Sequence, residues 1–408
     1  MAECCVVMDF VPNPSFGGFS ITMYGVVKGL LNAGLKPHIC CIISDAFGSD
    51  VRKMATHLEE LGAKAHLVYV HTKPKNIFDK LVPYSLMADE VKKLIQEISP
   101  RAILAGSYEG LFALTEIDPI PIFALLGDPY HLVRWYSWRY NLPNKSFVRN
   151  MRSAVISIAY SVIVNKRIKK MFKKTALRGA IAPQHARWYS RFAGRECIHY
   201  RGPVEDVIGN AWRAERKKQK TLGKKYKLIH VGNTGGTTNR PGIQDFVRVI
   251  LPYLDTHLGR GMFEIHFLGH TLNPEPSLKK VCKERDDVIL RGQVDPINNE
   301  LLSADLMFVP NPIRMGNRTR IVTAWSFGCP VVTHIANTVG IPEIQHKKNA
   351  LVSCNAREMG KHIIELLSDV ELQNNLAENG RKTFEELFEL NVAATRIGKD
   401  FLKLMQSK

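Results

Sequence analysis

The sequence predicts an α/β protein of two domains, each a Rossmann-like, doubly wound parallel sheet with helices on both faces. Three observations lead to this prediction: a length of 408 residues, a repeated alternation of apolar strand-like runs with amphipathic helical patterns, and one polar interruption near the middle. Two domains of roughly 200 residues are the natural division of such a chain. The alternation is typical of parallel sheets, whose ligands bind beyond the carboxyl ends of the strands. We expect an inter-domain cleft lined by those ends.

The first domain is predicted over residues 1–202. Strand-like apolar runs fall at residues 4–8, 37–43, 65–69, 102–105, 122–126 and 179–181. Helical patterns fall at residues 21–33, 49–61, 85–98 and about 153–174. Strands and helices that alternate in this way predict βαβ crossovers.

The polar interruption covers residues 203–225, which lack an apolar period and therefore predict an inter-domain linker. The second domain is predicted over residues 226–391. Its strands are expected at residues 226–231, 263–268, 288–290, 306–309, 330–333 and 350–352, and its helices at 243–254, 320–327, 357–368 and 370–388. A last helix, within residues 392–408, is expected to cross back to the first domain. Closure about the linker would exclude water from a bound ligand.

The eight cysteines show no C-x-x-C spacing, and the pairs Cys4-Cys5 and Cys40-Cys41 lie in apolar runs. This pattern predicts buried free thiols in a reducing compartment and no metal site. The first residues lack the basic and apolar regions of a signal peptide, and no apolar run approaches the ~20 residues that span a bilayer. We therefore expect a cytoplasmic protein, either free in the cytoplasm or peripheral on the cytoplasmic face of a membrane.

The formal net charge is +18, and residues 129–195 contain fifteen Lys and Arg but no Asp or Glu. Such a segment favours a polyanionic partner: lipid headgroups, an anionic substrate or nucleic acid. No recognised nucleic-acid-binding module is present, which disfavours the last. Residues 144–174 combine an apolar stripe with basic residues, a pattern that predicts either a helix on an anionic membrane or one packed in the first domain. The predicted membrane-facing residues are Arg149, Arg152, Lys166, Arg167, Lys169, Lys170, Lys173 and Lys174.

Two glycine-containing loops follow predicted first strands, Gly17-Gly18 and residues 232–238. Glycine lets a ligand approach the backbone, although either loop is equally explained as a tight turn; neither is a P-loop. Residues 310–330 contain three arginines just before or at a predicted helix start. The free N–H groups of that start and the arginines predict a diphosphate site that needs no metal, with a solvated basic turn as the alternative.

Residues 310–330 resemble the motif of the group 1 (family 4) retaining glycosyltransferases. In that family a strand ending in Pro-Ser precedes a glycine loop, a Glu-Ala helix, Gly-x-Pro-Val-Val and Gly-x-x-Glu-Ile. The matching residues are Val309-Pro310-Asn311, Gly316, Thr323-Ala324, Gly328-Cys329-Pro330-Val331-Val332 and Gly340-Ile341-Pro342-Glu343-Ile344. Residues 290–294 resemble the family's base-binding turn. The resemblance implies the twin-Rossmann (GT-B) fold and sugar transfer from a nucleotide-diphosphate sugar.

Four positions differ from the family pattern. Asn233 and Arg240 stand near the places of the family's Arg and Lys, and Thr323 stands in place of its ribose-binding Glu. Gly127 stands in place of its His in the first domain. The resemblance implies donor binding by Gly17, Gly18, Gly232, Asn233, Thr234, Arg240, Gly269, His270, Arg291, Gln293, Val294, Arg314, Gly316, Asn317, Arg318, Thr319, Arg320 and Thr323.

Asp128 follows the predicted strand at residues 122–126 and is the first candidate for a general base that deprotonates an acceptor hydroxyl, with a turn-capping role as the alternative. Glu109 is the second candidate. The sequence contains no Asp-x-Asp, so we expect a metal-independent enzyme without cofactors, acting on a lipid-linked or polysaccharide acceptor. A non-catalytic binder, a nucleotide-sugar epimerase and a phosphorylase are alternatives.

Overall fold

The computed structural model describes residues 2–14, 17–44, 51–70, 88–115, 117, 119–141, 147–219, 225–269 and 273–406. The chain divides into two compact units. The first unit consists of Met1–Trp135, Ser146–Glu205 and Leu390–Lys408, and the second of Tyr136–Lys145 and Asp206–Glu389. Each unit contains one parallel β-sheet, and the predicted fold class is confirmed.

The sheet of the first unit has seven parallel strands in the order β3-β2-β1-β4-β5-β6-β7. The strands are β1 (Glu3–Met8), β2 (Lys36–Ser44), β3 (Lys64–Val70), β4 (Ile103–Ala105), β5 (Ile122–Leu126), β6 (Leu177–Ala180) and β7 (Ile198–His199). The central strand β1 pairs Val6 with Ile39 of β2 and with Leu104 of β4. The strand order reverses at β1 and β4, and ligands of such sheets bind at the carboxyl ends beside this reversal.

The sheet of the second unit has six parallel strands in the order β10-β9-β8-β11-β12-β13. The strands are β8 (Tyr226–Val231), β9 (Phe263–Leu268), β10 (Val288–Gly292), β11 (Leu306–Val309), β12 (Val331–His334) and β13 (Leu351–Ser353). Phe246, Phe267 and Phe308 are fully buried and pack with ring centroids 5.1 to 5.9 Å apart. This aromatic cluster fixes the helical segment that follows β8 against β9 and β11.

The described α-helices are, in chain order, α1 (Gly18–Asn32), α2 (Val51–Glu60), α3 (Ala88–Ile98), α4 (Tyr108–Ala113), α5 (Tyr130–Asn141), α6 (Phe147–Lys174), α7 (Pro183–Ala193), α8 (Trp212–Gln219), α9 (Arg240–Asp245), α10 (Leu251–Leu258), α11 (Pro276–Glu284), α12 (Asn298–Ser303), α13 (Thr319–Ser326), α14 (Ala356–Ser368), α15 (Val370–Leu387) and α16 (Leu390–Gln406). A π-helical turn, Phe246–Ile250, joins α9 to α10. The sequence did not predict α4, α5, α7, α8, α11 or α12.

Alternation along β1 sends Cys4 and Val6 into the core on one face of the first sheet and Cys5 and Val7 into the core on the other. Burial raises the pKa of the Cys4 thiol to about 12, so these cysteines are packing residues rather than thiolates. The last helix, α16, packs on α1, where a side chain at Gly29 would overlap Ala394. None of the described helices is long and apolar enough to cross a membrane.

The structure differs from the prediction of a linker over residues 203–225. The main segment of the second unit begins at Asp206, and α8 lies inside the predicted linker. Trp212 is 5% exposed and packs against Gly328, while the guanidinium of Arg216 donates to Leu301 O and Ala304 O at 2.9 Å. Trp212 and Arg216, four positions apart, are the buried residues of α8. The sequence of this helix therefore shows no apolar period.

Candidate active site

Strand β8 is followed by a glycine-rich loop, residues 232–238. Gly232 has φ +136°, which L side chains rarely adopt, and a Cβ atom there would lie 2.6 Å from Arg320 Nη1. Gly269 follows β9, and a Cβ atom at Gly269 would lie 2.7 Å from Gly232 O. The N–H of Gly232 donates to Leu268 O at 2.7 Å. The two glycines therefore allow two strand ends and one guanidinium to meet closely at the carboxyl edge of the second sheet.

Arg320, the second residue of α13, is partly buried. Its Nη2 donates to Asn239 Oδ1 at 3.1 Å, and its Nη1 lies 3.4 Å from His230 Nε2. Among the described residues no carboxylate forms an ion pair with this guanidinium. Burial, and after it the nearby Arg318, lower the pKa of Arg320 to about 9, so the side chain stays protonated at neutral pH.

His230 is fully buried in β8, and its Nδ1 lies 3.1 Å from Phe308 O. Burial, followed by Arg320, lowers the pKa of His230 to about 3, so the ring is neutral at physiological pH. The neutral ring donates from Nδ1 to the carbonyl, which leaves the Nε2 lone pair to accept from Arg320. His230 thus positions the guanidinium without neutralising its charge.

Side-chain amides complete the surroundings of Arg320. Asn239 Oδ1 also accepts from Asn311 Nδ2 at 2.6 Å, and Asn239 Nδ2 donates to Asn233 O at 2.7 Å. Asn311 Nδ2 donates in addition to Thr238 O at 2.7 Å. The positive charge is held by neutral groups only, an arrangement that is costly unless an anion binds there.

The other arginines of residues 310–330 point elsewhere. Arg318 is 8% exposed and donates to Asn337 Oδ1 at 3.1 Å and to Ile313 O at 3.3 Å, so it holds its own loop together. Arg314 is exposed. Of the three arginines predicted to bind a diphosphate, the structure brings only Arg320 against the loop after β8.

The positions that depart from the family pattern have local partners. Asn233 Oδ1 accepts from Gly235 N at 3.0 Å and turns its own loop. Arg240 Nη2 donates to Gly235 O at 3.3 Å, and the Thr323 hydroxyl donates to Thr319 O at 3.1 Å within α13. The contacts described for these three side chains lie within the loop after β8 or within α13.

The remaining predicted donor-binding residues are spread around the same unit, except two glycines. Thr234 is 1% exposed, and its hydroxyl has no hydrogen-bond partner in the described part of the chain. Arg291 pairs with Glu300 at 3.3 Å. His270 lies outside the described residues, and in the described part of the chain no contact places Gln293, Val294, Gly316 or Asn317 at Arg320. Gly17 and Gly18 are exposed at the start of α1 in the first unit.

In the first unit, Asp128 lies just beyond the carboxyl end of β5. Its Oδ1 lies 3.3 Å from Nδ1 of His185, which is 2% exposed. Burial, followed by the nearby His131, lowers the pKa of His185 to about 4, so the neutral ring donates its Nδ1–H to the carboxylate. The hydroxyl of Tyr108 donates to Asp128 O at 3.0 Å, and that of Tyr189 to Gly127 O at 3.2 Å. The carboxylate of Asp128 is therefore held by His185, and the backbone beside it by the two tyrosines.

Glu109, in the first turn of α4, lies beside a second carboxyl group, that of Asp9. Burial, followed by the charge of Asp9, raises the pKa of Glu109 to about 7. Burial also raises the pKa of Asp9, which a hydrogen bond from Ser107 partly offsets. The two predicted catalytic candidates thus lie at the ends of β4 and β5, one able to carry a proton at neutral pH and one paired with a neutral histidine.

Residues 225–369 match the family model described as glycosyl transferases group 1. Most of the second unit is therefore similar to the group 1 glycosyl transferases. This match includes Gly232, Asn239 and Arg320, and it confirms the predicted family resemblance and class of enzyme. The chain matches no curated protein sequence.

Solved structures of glycosyltransferase-type proteins share the fold of the whole chain. HepE from Anabaena, in complex with UDP and glucose, is 15% identical with a TM-score of 0.66, and each chain is covered to 100%. Sucrose-phosphate synthase from Thermosynechococcus elongatus is 13% identical with a TM-score of 0.74, again with 100% of each chain covered. A TarM variant from S. aureus is 11% identical with a TM-score of 0.66 and the same coverage. At these identities the likeness establishes the GT-B fold.

Among the site residues that were not predicted are Asp9, His185, His230 and Asn239. Asp9 directly follows β1, so the criterion that selected Asp128 would also have selected it. His185 lies on α7, a helix that the apolar pattern did not predict, and His230 lies inside an apolar strand. No sequence signal distinguishes His230 from an ordinary core histidine.

Proposed function

We propose that the chain transfers a sugar from a nucleoside-diphosphate sugar to an acceptor hydroxyl. One observation carries the proposal: the protonated Arg320, held by neutral groups against Gly232, at the carboxyl edge of the second sheet. A partly buried cation without a carboxylate partner favours an anionic ligand, and a diphosphate offers several acceptor oxygens. In support, the similar HepE has been crystallised with UDP and with UDP-glucose.

Arg320 takes the part that the family assigns to an Arg and a Lys after the first strand of this domain. Asn233 and Arg240 stand near those positions but hold their own loop, whereas the guanidinium of Arg320 reaches the same loop from α13. Negative charge accumulates on the leaving diphosphate as the sugar departs, and a fixed cation there lowers the barrier. We infer that this cation replaces a divalent metal in the transfer reaction.

Asp128 is the proposed general base. Its carboxylate accepts from His185, and two tyrosines fix its backbone, so the orientation of the side chain is set before an acceptor binds. A carboxylate that removes the acceptor proton supports direct displacement at the anomeric carbon, with inversion. The proposed alternative base is Glu109, whose pKa of about 7 leaves its carboxyl partly ionised at neutral pH.

For the acceptor we propose a glycan, either a polysaccharide or a lipid-linked chain, and favour an anionic one. Its support is the basic character of residues 129–195, which contain fifteen Lys and Arg and no acid. The similar TarM variant was crystallised with fondaparinux, α-GlcNAc-glycerol and UDP.

The experiment that tests the donor site measures thermal stability of the full chain with UDP, GDP, ADP, TDP, CMP and their sugar conjugates. A nucleotide at a hundredfold its Kd adds about 2.7 kcal/mol to the free energy of unfolding. We expect one nucleotide family to stabilise the protein. Arg320→Gln should weaken that ligand at least tenfold, because charge-assisted hydrogen bonds contribute about 1.5–3 kcal/mol. Arg357→Gln, a change at an exposed arginine of α14 outside the predicted site, is the matched control.

Equal nucleotide binding by the wild type and Arg320→Gln would refute the role of Arg320. Silence across the whole panel would favour a non-catalytic polyanion binder instead. The metal-independent reaction is tested separately: transfer should continue at an unchanged rate after treatment with EDTA, and a loss that Mg²⁺ or Mn²⁺ restores would contradict it.

A further inference from the structure

The exposed apolar side chains of the described residues are concentrated in one short stretch. Eight of the fourteen large apolar side chains that are exposed lie between Val133 and Ile163. On α6 they include Met151 (52% exposed), Val155 (62%) and Ile158 (62%). An isolated exposed Val or Ile needs no explanation, but a contiguous group marks an interaction surface.

These side chains form a stripe along α6. Met151, Val155, Ile158 and Val162 follow one another at spacings of three and four residues, which place them on one side of the helix. The sequence left open whether this stripe packs in the core of the first unit. In the structure the stripe does not pack in that core, because Val162 is also 49% exposed.

The same side of α6 turns basic in its second half. Lys166, Lys169 and Lys173 continue the stripe at the same spacings and are exposed. In the described part of the chain none of these three lysines forms an ion pair with a carboxylate. One continuous side of a single helix is therefore apolar and then cationic.

The opposite side of α6 is anchored in the first unit. Val164, Ile168, Met171 and Phe172 are at most 2% exposed and belong to the core beside the first sheet. Their spacing is again that of one helical side, turned away from the lysines. Because this side is fixed in the core, the apolar and basic stripe cannot turn inward.

Helix α5 packs on α6 and carries one more exposed aromatic side chain. Trp135 is 49% exposed, and α5 contacts α6 through Tyr130 and Tyr160, whose ring centroids lie 5.2 Å apart. The guanidinium of Arg134 lies 4.7 Å from the Tyr160 ring centroid. Trp, Tyr and Arg are the residues that favour the boundary between lipid and water.

We propose that this surface docks the first unit on an anionic lipid bilayer. The docking surface is defined as Trp135, Met151, Val155, Ile158 and Val162, followed by Lys166, Lys169 and Lys173. Its apolar part enters the region between headgroups and acyl chains, and its lysines meet the phosphates. The proposal does not depend on the sugar transfer proposed above.

A bilayer explains both halves of the surface, whereas the rival partners explain one each. Nucleic acid would account for the lysines but would leave the exposed valine and isoleucine side chains in water. An acidic protein would need a complementary apolar groove. A bilayer offers apolar chains and anionic headgroups side by side, as the stripe does.

The test is co-sedimentation of the full chain with vesicles of phosphatidylcholine alone and of phosphatidylcholine mixed with phosphatidylglycerol. We expect strong binding to the anionic vesicles, little to the zwitterionic ones, and weakening as salt is raised. The double variant Lys166→Gln/Lys173→Gln should lower the partition coefficient roughly 30-fold, since each lysine near the surface contributes about a fivefold factor. Val155→Ser/Ile158→Ser should lower it at least tenfold.

Matched controls carry the same changes at exposed positions away from the docking surface. Lys279→Gln/Lys361→Gln removes the same charge, and Val370→Ser/Val392→Ser removes the same kind of side chain. Both should bind vesicles within about twofold of the wild type. Thermal midpoints of all four variants verify that they fold.

Three outcomes would overturn the proposal. The first is no preference for anionic over zwitterionic vesicles. The second is an equal loss in the control variants, which would mean that net charge alone drives binding. The third is tighter binding to a duplex RNA than to vesicles, lowered by the lysine variant and unchanged by the apolar one, which would assign the surface to nucleic acid.

Discussion

The carboxyl edges of the two sheets carry opposite chemistry. In the first unit the groups at this edge are carboxyls, Asp128 with its histidine and the pair formed by Asp9 and Glu109. In the second unit the central group is the guanidinium of Arg320, surrounded by amides and a neutral histidine. Each edge thus suits a different reactant: carboxylates accept a proton from a hydroxyl, and a cation receives a phosphate.

Two arginines of the second unit, Arg381 and Arg320, differ in the charge of their partners. Arg381 is 2% exposed and is paired with Asp206 and with Glu385 at 2.6 Å. Although burial opposes it, these two carboxylates raise the pKa of Arg381. At Arg381 two carboxylates compensate a buried guanidinium, whereas among the described residues Arg320 has no carboxylate partner. This difference supports an anionic ligand at Arg320.

The largest expected effect concerns the acidic edge. Asp128→Asn should lower the rate of sugar transfer about 10²- to 10⁴-fold, the usual contribution of a general base. The amide keeps the size of the side chain and can still accept from His185, so the fold should be retained. Nucleotide binding, which we assign to the second unit, should not change. Turnover assays and nucleotide titrations of the same preparation measure both quantities.

Asp89→Asn, at an exposed position of α3 in the same unit, is the control and should transfer at the wild-type rate. Full activity in Asp128→Asn would remove Asp128 from the role of base. The same assay with Glu109→Gln would then decide whether the second carboxyl takes that role.

The two arginines should respond in opposite ways to the same substitution. Arg381→Leu leaves Asp206 without its partner and should cost about 3–5 kcal/mol of unfolding free energy. Arg320→Leu removes an uncompensated charge and should change stability by no more than about 1 kcal/mol, while abolishing nucleotide binding. Thermal denaturation without nucleotide measures the difference, which should be roughly 10 °C in midpoint. Similar losses in both variants would mean that Arg320 is structural.

All strands except the short β7 could be predicted, because parallel strands buried on both faces appear in sequence as apolar runs, such as residues 4–8 and 226–231. The short helices could not. In α8 only Trp212 and Arg216 face inward, and the aliphatic stem of Arg216 is buried although its head is charged. In the sequence Arg216 has the character of a surface residue, and residues 203–225 were therefore predicted to be a linker.

The loop that carries the candidate site could be predicted from the sequence, but the contacts of its side chains could not. The sequence places three arginines within residues 310–330, and only the turn of that loop decides which one meets Gly232. Its course depends on Gly340, where a side chain would overlap Gly316 O. The pairing of Asp128 with His185 likewise joins residues 57 positions apart through β6 and α7, a contact that no local pattern contains.

The smallest expected effect tests the proton at the acidic edge. The pKa of Glu109 is about 7 in the folded protein, against an ordinary value of 4.5, so the folded state binds more protons than the unfolded state between these pH values. The stability that this group contributes is therefore complete below pH 4.5 and is lost as the pH rises through 7. The loss should be on the order of 3 kcal/mol.

Glu109→Gln should remove this pH dependence, because the amide does not titrate, and should unfold at higher denaturant concentration than the wild type at pH 8. Urea unfolding at pH 5 and pH 8 measures it, with Glu371→Gln, an exposed change on α15, as the control. Since the charge of Asp9 contributes to the raised pKa, Asp9→Asn should reduce the pH dependence without abolishing it. An unchanged pH dependence in Glu109→Gln would mean that the carboxyl is ionised at neutral pH, and the two sheet edges would then differ only in the sign of their charge.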